Sequence, residues 1–181
     1  MRTKFNPLDQ YYTKPEIIAV CVDRLLLQLS LVTLDDQIIV DASCGDDRFA
    51  TMLKTQLNGF KNYSFDIDPA LETLDVLIKD FNQVQSIDLN HRCGGILGFN
   101  PPFGYHGQTA IAYLQHFITL QHPNLIGLIL PDTLLRRLSG PNFLDGHILV
   151  DSLALPQKSF YRKRDDKEFG VASTFCIWRR L

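Results

Sequence analysis

The sequence has little with which to build a metal centre or a disulfide framework. Its four cysteines, Cys21, Cys44, Cys93 and Cys176, form no Cys-x-x-Cys pair. That argues against a zinc ribbon and against a small disulfide-stapled fold. His91-x-Cys93 is the nearest approach to a ligand pair; its spacing matches no standard site, so no metal is expected. No apolar run is long enough to cross a bilayer. The opening Met1-Arg2-Thr3-Lys4-Phe5 lacks the apolar core of a signal peptide, and a cytoplasmic or nuclear compartment is expected. Positive charge is not in excess either. The formal net charge of −2 excludes a whole-surface nucleic-acid coat, although it permits a local basic groove. The glycine-rich Gly-x-Gly-x-x-Gly loop of dinucleotide folds is missing. So are repeats, low-complexity stretches and recognisable linkers.

What is present is a chain of 181 residues with 45% hydrophobic content, enough for one domain with a sizeable core. A single domain over residues 1–181 is expected, with an N-terminal segment and helix over 1–30 and a core sheet over 36–181.

The patterning reads as alternating strands and helices. Thr13 and Pro15 mark a helix start. Ile17, Ile18, Val20, Cys21, Leu25 and Leu29 then recur at helical spacing over about 15–29. Ile38-Ile39-Val40 is a buried strand ending in Asp41-Ala42-Ser43-Cys44-Gly45-Asp46-Asp47, a turn of small residues that opens a helix. Tyr63-Ser64-Phe65 is a second strand, ending in Asp66-Ile67-Asp68-Pro69. Leu71, Leu74, Leu77 and Ile78 predict a helix after it. Asp68 is the better cap for that helix, which leaves Asp66 free for a ligand. Val84-Gln85-Ser86-Ile87 is expected as a marginal third strand ending at Asp88. Gly94–Gly98 follows as a fourth strand, then a helix over Gln108–Leu120 and a central strand over Leu125–Leu130. A short helix reaches Leu138. Strands over His147–Leu155 and Val171–Trp178 are joined by a charged loop, Pro156–Gly170. Alternation of this kind predicts an α/β, doubly wound, Rossmann-like sheet of seven strands. It should be mostly parallel, with the last strand antiparallel because its connection is too short for a crossover.

The fourth strand runs into Phe99-Asn100-Pro101-Pro102-Phe103-Gly104. Consecutive prolines cannot donate ladder hydrogen bonds, so the strand ends there. An amide side chain, two rigid backbone units and a flat ring are left at the carboxyl end of a strand, where open α/β sheets bind ligands.

Taken in order, Asp41…Gly45, Asp66, Asp88 and Asn100-Pro101-Pro102-Phe103 resemble the class I S-adenosylmethionine (SAM)-dependent methyltransferases. The closer likeness is to the amino-methylating, N6-adenine branch with its Asn-Pro-Pro-Phe motif. The likeness covers nearly the whole chain, and the Asn-Pro-Pro-Phe motif is its specific part. Tyr12-Thr13-x-Pro15, placed ahead of the small-residue loop, is similar to the unpermuted arrangement of that branch. The resemblance implies SAM as cofactor. Asp41, Ser43 and Gly45 would sit at its methionine part, Asp66 at the ribose and Asp88 at the adenine amino group. Tyr12 and Thr13 would close over it. The loop departs from the family pattern in carrying Asp46-Asp47 where a further glycine is usual.

The resemblance also implies methyl transfer to the exocyclic N6 amine of adenine in DNA or RNA, with Asn100, Pro101, Pro102 and Phe103 as the catalytic set. The Asn100 side-chain oxygen and the Pro101 carbonyl can accept the two amine protons, and Phe103 can stack on the base. An extruded base needs a second flat face, for which Phe160 or Tyr161 are candidates. Lys158, Arg162, Lys163 and Arg164 beside them are candidates for phosphate contacts. That run also reads as a solvated hairpin tip, since Asp165, Asp166 and Glu168 dilute it. Guanine N2 or a protein glutamine are alternative planar amines. A catalytically silent nucleic-acid-binding or scaffold partner of another methyltransferase is the alternative of a different class. A nucleic-acid partner is expected, and a chain this short leaves target recognition to loops or to a partner subunit.

Overall fold

A computed structural model describes residues 11–71, 75–138, 144–163 and 165–181. The chain runs β1 (Tyr12–Thr13), α1 (Pro15–Leu29), β2 (Ile38–Asp41), α2 (Arg48–Gln56), β3 (Lys61–Asp66), β4 (Val76–Ile78) and β5 (Ile96–Phe99). It continues through α3 (Gln108–Gln121), β6 (Leu125–Pro131), α4 (Asp132–Arg137), β7 (His147–Ala154), β8 (Phe160–Arg162), β9 (Lys167–Phe169) and β10 (Ser173–Arg180). Seven strands form one sheet in the order β4-β3-β2-β5-β6-β10-β7. The β2–β3, β2–β5, β3–β4 and β5–β6 pairs are parallel, and β10 runs antiparallel between β6 and β7. This is the expected Rossmann-like architecture, with the antiparallel last strand.

Strands β2 and β6 are buried along their whole length, as continuous apolar runs between two helical layers should be. Alternation divides β2 between two core clusters: Ile38 and Val40 face one and Ile39 the other. Ala110, Leu114 and Phe117 of α3 join the first, around Phe81 and Trp178. Ile18, Val22 and Leu25 of α1, with Phe49 and Leu53 of α2, fill the second. Among the described residues, no helix is long and apolar enough to cross a membrane.

Four sequence expectations are corrected. The helix after Pro69 is a 3-10 turn over Pro69–Leu71, and Val76–Ile78 is a strand paired with Ser64–Asp66. Leu77, expected on a buried helix face, is 47% exposed because it lies on the outermost strand. Leu74 lies outside the described residues. Val84–Ile87 is therefore not the third strand; Ser86–Leu89 is a 3-10 turn, and Asp88 is not at a strand tip. Thr13 does not cap α1. Lys14 precedes the helix without a side-chain cap, Pro15 opens it, and Thr13 pairs with Phe160. The stretch expected as a charged loop is mostly the hairpin β8–β9. With β1 it forms a second, three-stranded sheet in the order β1-β8-β9.

Candidate active site

Sheet order puts the carboxyl ends of β2, β3 and β5 side by side, and Asp41, Asp66 and Asn100 from these ends line one cavity of about 370 Å³. Its size is in the ordinary range for a small-molecule site, roughly 300–1,000 Å³. Asp41 is 2% exposed, and its Oδ1 accepts a bond from the Ser43 N–H at 3.1 Å. Burial, then the nearby Asp47 carboxylate, hold its pKa well above the ordinary carboxylate range. Gly45 takes φ +54°, and its N–H donates to Asp66 Oδ2 at 2.8 Å. A Cβ added there would stand 2.9 Å from Tyr12 Cε1, so Tyr12 lies against the bare glycine backbone. Burial, and behind it Asp46, Asp66 and Asp68, push the Tyr12 phenol up to about 12, so it stays neutral.

Asp66 is not idle, contrary to the sequence expectation. One carboxylate oxygen holds Gly45, and the other accepts from the Asp68 N–H at 3.0 Å. It ties the tip of β3 to the loop after β2. Asp68 accepts from the Ala70 N–H at 3.0 Å, which is the capping role expected of it. The Asp47 carboxylate does not cap the N–H groups of α2; it takes the Ser64 and Thr51 hydroxyls instead.

Asn100 is held from three directions. Its carbonyl accepts the Ser43 hydroxyl at 3.1 Å. Its Nδ2 donates to Thr13 Oγ1 at 3.2 Å and to the Tyr11 carbonyl at 3.4 Å. Its Oδ1 is buried and has no hydrogen-bond partner among the described residues. Leaving such an acceptor unpaired costs about 1–3 kcal/mol. Pro101 is buried, while Pro102 and Phe103 are half-buried, and all three line the cavity.

The remaining candidates divide. Phe160 lines the cavity but is 2% exposed and meets Phe103 edge to face, at 6.3 Å and 89°. Perpendicular rings cannot sandwich one base, so this pair is not the expected two-faced clamp. Tyr161 turns toward Tyr12, at 5.9 Å, and is not among the cavity-lining residues. Lys163 sits 4.9 Å from the Tyr12 ring and 3.4 Å from Asp46, which also pairs with Arg48 at 2.8 Å. Lys158 pairs with Glu168 at 3.6 Å, and Arg162 pairs with Asp165. The described cations of this run are thus each matched by a carboxylate; Arg164 lies outside the described residues. Asp88 is away from the cavity. It accepts from the Gln85 N–H at 2.7 Å and pairs with Lys79 at 2.5 Å, which holds its carboxyl below the usual range.

Sequence reading missed Tyr11, Asp46, Arg48, Tyr113 and Phe169, which all line the cavity. Asp46 had a signal, since it lies inside the Asp41–Asp47 turn. Tyr113 and Phe169 had none, because α3 and β9 reach the cavity only through tertiary packing. Among the described residues no cluster of His, Cys, Asp and Glu could hold a metal ion.

Comparison with known proteins bears on the fold and the family. An RNA methyltransferase candidate from Pyrococcus horikoshii superposes with a TM-score of 0.72 at 16% identity, covering 99% of this chain and 91% of that one. The SAM-bound magnesium protoporphyrin IX methyltransferase of Synechocystis superposes at 0.62 and 12% identity, covering 92% and 79%. A modification subunit assigned to a type I restriction enzyme of Vibrio vulnificus superposes at 0.61 and 13%, covering 94% and 44%. The fold is that of class I methyltransferases, whose cofactor is SAM. In sequence, the chain is 27% identical to Protein ENHANCED DOWNY MILDEW 2 of Arabidopsis thaliana over 191 aligned residues; these cover 98% of this chain and 14% of that protein. The model of the EDM2 methyltransferase-like domain matches residues 32–167, and the chain belongs to that family.

Proposed function

We propose that the protein binds SAM in this cavity and methylates the N6 amine of adenine in a nucleic acid. The observation that carries the reading is the buried Oδ1 of Asn100, a cavity-lining residue, which has no hydrogen-bond partner among the described residues. An acceptor left unpaired at a cost is what a site for an N–H donor requires. The residues present fit the cofactor. With the buried Asp41 left out of the count because its pKa is raised, Asp46 and Asp66 still outnumber Arg48 in the lining, and SAM carries a net positive charge at its sulfonium and ammonium groups against one carboxylate. When bound, SAM supplies a methyl group already activated for transfer.

The chain then has to orient the acceptor. Asn100 Oδ1 and the Pro101 carbonyl accept the two amine protons, which favours a tetrahedral nitrogen with its lone pair directed at the methyl. The half-buried Phe103 offers one ring face to the base. In this reading one further role, the one expected of Asp88, passes to another acid. The strand next to β3 ends at Ile78, so Asp80, rather than Asp88, is the acid two residues beyond that strand end. Its Oδ1 accepts from the Asn82 N–H at 3.0 Å and lies 3.5 Å from the Tyr113 hydroxyl. A nucleic-acid substrate is supported by the RNA methyltransferase candidate and the restriction-modification subunit among the neighbours.

Calorimetric titration with SAM, followed by tritiated methyl transfer onto single- and double-stranded DNA and RNA, tests this. N6-methyladenosine in the digested product is expected. Absence of SAM binding, or label on a different atom, refutes the reading. For the cofactor half, Asp66→Ala removes the carboxylate that bonds both Gly45 and Asp68. SAM affinity should fall about ten- to hundredfold, the worth of one charge-assisted hydrogen bond or slightly more. Wild-type affinity in that variant would show that the β3 tip does not shape the cofactor loop.

A further inference from the structure

We propose that Thr13 is a positioning residue that holds the Asn100 side-chain amide in the orientation the Tyr11 carbonyl selects, so that docking of β1 on the β8–β9 hairpin arms the amine acceptor. The inference rests on the reading of Asn100 as that acceptor.

The backbone of Asn100 is fixed by the Ser43 hydroxyl, but the side-chain amide is free to choose between two ends. The terminal torsion of asparagine is broad and nearly two-fold, so the bond itself selects neither. Its neighbours make the choice. The Tyr11 carbonyl can only accept, so the nitrogen must face β1 and the oxygen must face away. A rotated amide would set two acceptors against each other. At 3.4 Å the Tyr11 contact is long, and Thr13 Oγ1 at 3.2 Å is the nearer anchor. Thr13 is itself well placed to act as one. It is 7% exposed, its strand pairs with Phe160, and the Lys14 N–H donates to the Ser159 carbonyl at 3.0 Å. Thr13 lines the same cavity, and its side-chain oxygen accepts from the Asn100 amide. Its effect passes through Asn100.

The arrangement joins the hairpin to the chemistry. Residues 87 apart in sequence meet only when β1 adds to the edge of β8.

Thr13→Val keeps the shape and β-branching of the side chain and removes the acceptor. At saturating SAM it is expected to lower kcat on the order of tenfold, the loss of one orienting hydrogen bond, with the unfolding midpoint near wild type. Thr13→Ser restores the hydroxyl and should restore kcat. The Asn100 side-chain ¹⁵N–¹H₂ signals, identified by their disappearance in Asn100→Ala, should shift in Thr13→Val and return in Thr13→Ser. Wild-type kcat together with unchanged amide signals in Thr13→Val would overturn the proposal. So would a loss of kcat that Thr13→Ser fails to restore. Should the wild-type protein transfer methyl to no nucleic acid, the reading of the function fails. The amide signals of the three proteins then decide the Thr13–Asn100 contact by themselves.

Discussion

Asn100→Ala is expected to lower methyl transfer about 10²–10³-fold, the usual cost of removing one preorganised polar group at a reacting centre. SAM affinity should stay near wild type. The asymmetry follows from the position of the side chain. The groups that hold the cofactor loop, Gly45 bonded to Asp66 and Ser43 bonded to Asp41, involve the Asn100 side chain in neither bond. Its amide instead bonds β1 through nitrogen and leaves oxygen for the acceptor. Truncation therefore removes an interaction made to the amine and leaves the cofactor wall intact, the pattern in which kcat falls without a matching change in binding. Asn100→Asp separates charge from geometry. It keeps an oxygen but sets a carboxylate against the Tyr11 carbonyl, so the acceptor is present and misdirected. Single-turnover transfer at saturating SAM measures both variants. Wild-type turnover by Asn100→Ala would remove Asn100 from the chemistry and leave the Asn-Pro-Pro segment as a stiff strand terminator.

The parts of this site that could be read in the sequence were those written in contiguous residues. Ile38-Ile39-Val40 and Leu125–Leu130 are unbroken apolar runs, and both are fully buried central strands. Pro101-Pro102 had to end a strand, and β5 does end at Phe99. What could not be read was assembled from distant pieces. The β1-β8-β9 sheet is made of strands two or three residues long, too short for any period to appear. Its pairing of Tyr12 with Tyr161 depends on the whole domain being folded. Asp66 looked available for a ligand because its partner, the Gly45 N–H, is 21 residues away. The stretch after Pro69 failed for another reason. Leu71, Leu74, Leu77 and Ile78 happen to fall at helical spacing, while Val76–Ile78 is a short strand at the sheet edge. The β-branched pair Val76 and Ile78 was the signal for the strand. A three-residue run gives alternation little room to compete with a longer apparent helix.

That misread stretch yields the second large effect. Phe81, three residues past β4, is fully buried. It stacks on Phe117 at 5.4 Å and meets Tyr113 at 5.5 Å, Phe65 at 5.8 Å and His116 at 5.8 Å. The ring thus joins β3 to α3 beneath the cavity, and Tyr113 carries its packing into the cavity wall. Phe81→Ala is expected to cost about 3–5 kcal/mol of stability, combining lost transfer energy with an unfilled hole. In urea the midpoint should drop with little change in slope, since the surface exposed on unfolding barely alters. Leu77→Ala is the paired control. Were Leu77 on the buried face of a helix, truncation would cost about 2–5 kcal/mol; on an edge strand at 47% exposure the cost should stay near the ±0.5 kcal/mol usual at surface positions. The two variants together distinguish the packings: a large loss at residue 77 with a small one at 81 would restore the helix and remove β4 from the sheet. A large loss at 81 alone identifies Phe81 as the side chain on which the β3–α3 contact, and through Tyr113 the shape of the cavity, depends.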